Sequence, residues 1–179
     1  MDIYKLNFTV LELEIFSLLC LRAGERLSQR EIAIILKVSP TAVSNSMQKL
    51  KDESLIKVEK TKTINFISFN RDGQKARELK RVENLKNVYL SGLSDYLEQE
   101  LPGGTIILFG SYSRGEDTDT SDIDLAVIER KDKILKFDKY EKMLKRKINV
   151  NFYDSWKDMH IHLRNNILNG ILLHGSVEL

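Results

Sequence analysis

Two carboxylates alternate with apolar residues in one short stretch of the chain, and this pattern constrains the fold more than any other. Asp122 and Asp124 flank Ile123, and the apolar run continues to Ile128. Because side chains two apart on a strand point to the same face, the pattern predicts a strand with one buried face and both carboxylates on the other. Two carboxylates on one face repel each other unless a cation lies between them. The pair therefore indicates a Mg²⁺ or Mn²⁺ site.

A second buried strand is predicted just upstream, where residues 106–109 are continuously apolar and lead into Gly110 and Ser111. A glycine lets a phosphate group approach the backbone closely, and a serine hydroxyl donates hydrogen bonds to phosphate oxygens. If a helix begins here, its free amides add to that attraction. Gly110 and Ser111 are therefore candidate nucleotide-binding residues beside the candidate metal site.

This combination resembles the DNA polymerase beta superfamily, and most closely its minimal nucleotidyltransferases, over roughly residues 85–175. The family motif is Gly-Ser, a short spacer and Asp-x-Asp, filled here by Gly110, Ser111, Asp122 and Asp124, with Arg114, Gly115 and Ser121 also matching. The resemblance implies that Asp122 and Asp124 are catalytic and bind metal. It implies that Gly110, Ser111 and Arg114 bind a nucleoside triphosphate (NTP). The implied reaction transfers a nucleoside monophosphate to a hydroxyl group, and pyrophosphate leaves.

One departure from the family pattern concerns its third carboxylate, which stands on a later strand. The corresponding strand here is predicted over residues 148–152, with Asn149 and Asn151 on its polar face. An asparagine can coordinate a metal through its carbonyl oxygen, but it is neutral and cannot accept a proton. Three other acids are near enough in sequence to substitute: Asp154, Glu116 and Asp119. The second, catalytic metal is expected to bind more weakly than in the family.

The first 70 residues follow the order of a winged helix-turn-helix. A first helix is predicted around Leu11 to Leu19, and Ser28 with Glu31 forms a capping box for a second helix, whose buried stripe is Ile32, Ile35 and Leu36. Ser39 caps a third helix with Pro40 at its first position. Two strands, at residues 56–60 and 64–69, are joined by a hairpin tip at 61–63. This segment resembles the winged-helix regulators of bacteria and archaea.

The third helix carries short polar and basic side chains that suit base edges and phosphates in a major groove. The candidate residues for binding double-stranded DNA are Thr41, Ser44, Asn45, Gln48 and Lys49 on this helix and Lys57, Lys60 and Lys62 on the hairpin. A solvated helix face or a protein-interaction module would show the same pattern. Because one small module covers a single half-site, tight binding would call for a homodimer.

The remaining elements complete an α+β architecture. A single long linker helix is predicted over residues 72–101, with Asp72 as its cap and Pro102 ending it. Beyond the two central strands, an amphipathic Lys-rich helix is predicted over residues 131–147 and a last helix from residue 154 to 169. The predicted domains are a winged helix-turn-helix at 1–71, the linker helix at 72–101, and a nucleotidyltransferase-like mixed sheet with helices at 102–179.

Composition indicates the cellular compartment of the protein but does not decide between two functions. The 179 residues carry a net charge of +2, which excludes a uniformly basic nucleic-acid coat. One cysteine and no apolar run of about 20 residues predict a cytoplasmic protein without a membrane segment. The first hypothesis is a DNA-binding nucleotidyltransferase. The second is a transcriptional regulator whose weakened nucleotidyltransferase-like domain only binds nucleotide or a partner.

Overall fold

The computed structural model describes residues 8–178, so the first seven residues of the predicted winged-helix domain lie outside it. The chain is a mixed α+β protein that divides between residues 80 and 81 into two compact units. This division falls inside the segment predicted as a linker. Within the described residues, no helix is both long and apolar enough to span a membrane.

The amino-terminal unit has the predicted three helices and two hairpin strands in order, together with a short strand, β1, that the sequence did not predict. Its elements are α1 (Val10–Leu21), β1 (Leu27–Ser28), α2 (Gln29–Leu36), α3 (Pro40–Asp52), β2 (Ile56–Lys60) and β3 (Asn65–Phe69). The strands form an antiparallel sheet in the order β1-β3-β2, so β2 and β3 make the hairpin that the sequence predicts. The three helices and the sheet enclose one hydrophobic core.

Local capping explains where the helices of this unit begin. The Ser28 hydroxyl accepts from the Glu31 amide, and the Glu31 carboxylate accepts from the Ser28 amide, which completes the predicted capping box. The Ser39 hydroxyl accepts from the Ala42 amide at the start of α3. One predicted core position is wrong: Ile35 is 42% exposed, because α2 turns only Ile32 and Ala33 fully inward.

The predicted single linker helix is two helices, α4 (Gln74–Leu90) and α5 (Leu93–Glu100). Gly92 adopts a left-handed conformation with φ of 76°, which an α-helix cannot continue through. The predicted cap at Asp72 is also wrong. Its carboxylate pairs with the Lys57 ammonium group on β2, and α4 begins two residues later.

The carboxy-terminal unit is a mixed sheet with helices. Its elements after α5 are β4 (Thr105–Phe109), α6 (Gly110–Arg114), β5 (Ile123–Ile128), α7 (Asp138–Leu144), β6 (Ile148–Tyr153), a 3₁₀ turn (Trp156–Asp158), α8 (Ile161–Leu168) and β7 (Ile171–His174). The strand order is β6-β5-β4-β7, with β6 parallel to β5 and the other neighbours antiparallel. The end of β4 and the starts of β5 and β6 therefore meet at one edge.

Two helix predictions in this unit are corrected. The helix predicted over residues 131–147 occupies only Asp138–Leu144, since the Lys136 amide donates to the Tyr96 hydroxyl rather than to a helical carbonyl. The last helix begins at Ile161 instead of residue 154, after the separate 3₁₀ turn. The apolar residues that follow it form β7, a strand the sequence did not predict.

Both faces of this sheet are covered, and the coverage differs between them. Ile123, Leu125 and Val127 pack into the core that α4, α5 and α7 complete. On the opposite face, Ala126 and Ile128 pack beneath the 3₁₀ turn and α8. Asp122 and Asp124 share the parity of this second face but precede its covered part. The alternation thus leaves both carboxylates at the open end of a packed sheet.

Candidate functional site

The two carboxylates lie at the sheet edge where three strands meet. Asp122 immediately precedes β5 and is exposed, whereas Asp124 is the second residue of β5 and half-buried. In register, Asp124 lies between Phe109 at the end of β4 and Asn149 near the start of β6. The structure therefore brings the carboxylates next to the Gly110-Ser111 turn that follows β4.

Asn149, rather than Asn151, is the strand β6 residue beside the carboxylates. Its side-chain Nδ2 donates to Asp122 Oδ2 at 3.0 Å, and its backbone is in register with Asp124. Asn151 pairs with Ala126, one side-chain repeat farther along the strand. Across residues 8–178, the structure contains no group of three or more histidine, cysteine or acidic side chains placed to hold a metal ion. An amide side chain thus stands beside the two carboxylates.

The environment of Asp124 disfavours its charged form. Burial raises the pKa of Asp124 above its ordinary value, the neighbouring Asn149 amide lowers it, and the nearby charge of Asp122 raises it again. The net direction is upward. A cation between the two carboxylates would offset both the lost hydration and the repulsion.

Gly110 is required by geometry at the turn between β4 and α6. Its φ is 76°, and a Cβ placed on it would lie 2.5 Å from Asp124 Oδ2. Any side chain here would displace the Asp124 carboxylate. The single helical turn α6 begins at this glycine, with Ser111 half-buried as its second residue.

Arg114 lies at the end of α6 and has two polar partners. Its Nε donates to Glu116 at 2.8 Å, and its Nη1 donates to the Asn166 side chain of α8 at 3.2 Å. The guanidinium group is therefore held between the α6–β5 loop and α8. The same ion pair engages Glu116, one of the acids considered as a replacement for the third carboxylate.

In the amino-terminal unit, α3 presents most of the predicted polar face to solvent. Thr41, Ser44, Asn45 and Gln48 are exposed, and the Gln48 amide donates to Asp52 at 2.7 Å. Lys49 does not belong to this free face: it is half-buried, with its ammonium group 5.2 Å from the centre of the Phe8 ring.

The hairpin adds basic residues beside α3. Lys60 and Lys62 are exposed, whereas Lys57 is paired with Asp72. A cleft of about 140 Å³ between α3 and the hairpin is lined in part by Ser44, Lys51 and Lys60. Sequence reasoning missed Lys51, although its position seven residues after Ser44 places it on the same helical face.

The sequence also matches two family models, one in each unit. Residues 92–178 match the model described as "Polymerase beta, Nucleotidyltransferase", and residues 18–57 match the one described as "Winged helix-turn-helix DNA-binding". The chain joins a winged helix-turn-helix domain to a polymerase beta nucleotidyltransferase domain. This confirms both resemblances identified from the motifs.

Several solved structures show partial similarity to this chain. A variant of ZitR from Lactococcus lactis is 21% identical with a TM-score of 0.41, covering 54% of this chain and 64% of that one. AdcR, the adhesin competence repressor from Streptococcus pyogenes, is 16% identical with a TM-score of 0.41, covering 52% and 68%. Wild-type ZitR in complex with DNA is 24% identical with a TM-score of 0.38, covering 53% and 62%. The chain thus spans less than two thirds of ZitR. None of the curated proteins compared with the chain matched it.

The nucleotidyltransferase domain has a cleft beside Asp122 that sequence reasoning missed. It measures about 490 Å³ and is lined by residues 119–122 on one side and by α7 and the α7–β6 turn on the other. Lys142, Lys145 and Lys147 contribute its basic groups, and Asp138 and Glu141 are among its acids. The sequence signal for it is the Lys-rich run within the amphipathic helix predicted over residues 131–147.

Proposed function

We propose that the nucleotidyltransferase domain binds an NTP with Mg²⁺ and transfers its nucleoside monophosphate to a hydroxyl group. The winged helix-turn-helix domain binds double-stranded DNA in the same protein. One observation carries the proposal for the enzyme: Asp122 and Asp124 stand at the sheet edge beside Gly110, whose missing Cβ leaves room for the Asp124 carboxylate.

The residues present fit a divalent cation bound together with a nucleotide. The two carboxylates share one face, and burial of Asp124 raises its pKa. A bound cation would therefore stabilise the charged form of both side chains. With only two carboxylates, triphosphate oxygens would complete the coordination. Asp122 and Asp124 are therefore the proposed metal ligands. Bound there, Mg²⁺ would neutralise the triphosphate and stabilise the departing pyrophosphate.

The chain's own residues bind and orient the two substrates. Gly110 and Ser111 would hold the triphosphate through a backbone amide and a hydroxyl, with Arg114 as a cation nearby. The cleft beside Asp122 would admit the acceptor from the other side of the carboxylates. A bond then forms between the acceptor oxygen and the α-phosphorus, the bond to the β-phosphate breaks, and the hydroxyl proton leaves to water.

A second function is favoured by Asn149. Its amide lies beside Asp122, on the strand where the resemblance implies a third carboxylate, and an amide cannot take the proton from an attacking hydroxyl. Under this alternative the protein is a transcriptional regulator, and its nucleotidyltransferase domain binds nucleotide without transferring it.

Incubation with α-labelled NTPs and Mg²⁺ or Mn²⁺ separates the two functions. Label transferred by the wild-type chain and abolished by Asp122→Ala and by Asp124→Ala supports the enzyme. Asp132→Ala is the matched control, because it removes an exposed acid from the same domain outside the site. Nucleotide binding without transfer would favour the regulator, and transfer that survives both substitutions would contradict the assigned site.

For the winged helix-turn-helix domain, DNA binding is proposed through the exposed face of α3 and the hairpin. A mobility shift on the protein's own upstream DNA tests this, with Asn45→Ala and Lys62→Ala expected to weaken binding. Lys139→Ala removes the same charge from the other domain and should leave the shift unchanged. Equal binding by all variants would refute the proposed interface.

We also propose a cytoplasmic homodimer. The single cysteine, Cys20, is buried, as suits a reducing compartment. Exposed apolar residues of α4, among them Val82 and Leu90 at 62% and 75% exposure, offer a self-association surface. Sedimentation of the wild-type chain and of Leu90→Gln would test it, and a wild-type monomer at all concentrations would contradict it.

A further inference from the structure

A fully buried ion pair lies inside the nucleotidyltransferase domain. Asp117 Oδ2 is 3.3 Å from Arg146 Nη2, and the two side chains are 0% and 2% exposed. Asp117 Oδ1 also accepts from Asn84 Nδ2 at 2.7 Å, and the same nitrogen donates to the Tyr112 carbonyl at 2.8 Å. Neither the predicted mechanism nor the family motif accounts for this network.

The network connects the two chain segments that carry the candidate site. Asp117 lies in the α6–β5 loop, five residues before Asp122, and Arg146 lies in the α7–β6 turn, three residues before Asn149. The side chains of Asp122 and Asn149 meet at 3.0 Å. A backbone bond from the Ile123 amide to the Lys147 carbonyl, at 2.8 Å, joins the same segments. The buried pair therefore joins the same two chain segments as the contact between Asp122 and Asn149.

Stability alone does not explain a charged pair at this place. Two desolvated charges are costly to bury, and apolar residues of similar volume are often equally stable in their place. The charged pair adds directional hydrogen bonds. Asp117 accepts from Arg146 and from Asn84 through different oxygens, and this fixes the orientation of the α6–β5 loop. Partners that orient metal ligands from outside the site commonly change metal affinity by about 10–100-fold when they are removed.

We propose that Asp117 is a positioning residue, which with Arg146 holds Asp122 against Asn149 in the geometry that binds the metal–nucleotide complex. This inference rests on the proposed function, since it concerns the same site. It predicts that breaking the pair weakens binding of a divalent cation by about tenfold or more while the domain remains folded.

Electron paramagnetic resonance of free Mn²⁺, titrated with the full-length chain, measures this binding without any need for turnover. Asp117→Asn removes the charge but leaves Arg146 buried and can cost folding, so the double variant Asp117→Leu/Arg146→Met serves as the second test. Asp132→Asn is the control for loss of one acid. Thermal unfolding of every variant reports whether it remains folded.

The expected result is a double variant that melts near the wild-type temperature and binds Mn²⁺ at least tenfold more weakly, with the control unchanged. In addition, Asn149→Asp should strengthen Mn²⁺ binding in the wild-type background and lose that effect in the double variant. A purely structural pair would not produce this coupling.

Three results would overturn the inference. Mn²⁺ affinity within twofold of wild type in a folded variant would remove the positioning role and leave the proposed function standing. Loss of folding in both variants would assign the pair to stability alone. Absence of Mn²⁺ binding by the wild-type chain would refute the proposed function, and this inference with it.

Discussion

Replacing Asn149 by aspartate tests whether a third carboxylate at this position completes the proposed metal site. The wild-type amide donates to Asp122 Oδ2 at 3.0 Å and lies in register with Asp124. Asn149→Asp removes this hydrogen bond and places a third negative charge beside two others. The apo domain should lose stability, and a divalent cation should restore it.

The size of the effect follows from the contact. A hydrogen bond to a charged group contributes about 1.5–3 kcal/mol, and two unit charges 4 Å apart in water repel by about 1 kcal/mol. Because Asn149 and Asp122 are both exposed, the low end of the hydrogen-bond range applies, and with the repulsion we expect a loss of about 2.5 kcal/mol in the free energy of unfolding. A cation at about 100 times its Kd returns about 2.7 kcal/mol, which offsets the loss.

Thermal unfolding with and without Mn²⁺ measures both quantities, and Asn151→Asp is the matched control. Asn151 is exposed on the same strand and face, but it pairs with Ala126 instead of a carboxylate. Asn149→Asp should melt below wild type without Mn²⁺ and gain more than wild type on its addition. The same response from Asn151→Asp, or no response from either, would refute the placement of the third ligand at residue 149.

Three further predictions concern single residues. Gly110→Ala should lower the free energy of unfolding by about 1–2 kcal/mol, because of the left-handed backbone, and should also abolish nucleotide binding, because Asp124 is displaced. Gly92→Ala, with the same φ of 76° and nothing within 4 Å of its Cβ, should lower stability alone. Equal nucleotide binding by both variants in equilibrium dialysis would contradict this. Asp124→Asn should raise the melting temperature at neutral pH, because the raised pKa of Asp124 means that its charged form destabilises the fold. The gain should vanish as the pH falls below 3.8, the ordinary pKa of an aspartate, where the carboxyl is protonated in both the folded and the unfolded state. A gain that does not change with pH in a series of melting curves would contradict this. Lys51→Ala should weaken DNA binding and reduce the slope of log affinity against log salt by about one, and an unchanged slope would remove Lys51 from the interface.

Features that depend on neighbouring residues in the chain could be predicted from the sequence. The capping box of Ser28 and Glu31 involves residues three apart, so its hydrogen bonds follow from the spacing. The alternation from Asp122 to Ile128 likewise predicts both the bounds of β5 and the shared face of the carboxylates. These local patterns were enough to locate the winged-helix order and the nucleotidyltransferase motif.

Features that depend on pairing between distant residues could not. Choosing between Asn149 and Asn151 requires the register of β6 against β5, which sequence periodicity does not fix. The buried pair of Asp117 and Arg146 was hidden because a Lys-Arg-Lys run is ordinarily solvated. The helix predicted over residues 131–147 was too long because the Lys136 amide donates to the hydroxyl of the distant Tyr96 instead of to a helical carbonyl.

The central claim is that Asp122 and Asp124 bind a metal–nucleotide complex at the Gly110 turn. Equilibrium dialysis of the wild-type chain against each labelled NTP, with Mg²⁺ or with chelator, tests it most directly, alongside Asp124→Asn and the control Asp132→Asn. We expect the wild-type chain to retain at least one NTP in a manner that requires Mg²⁺, is lost in Asp124→Asn and persists in the control. Binding that survives in Asp124→Asn, or no retention of any NTP by the wild-type chain, would contradict it.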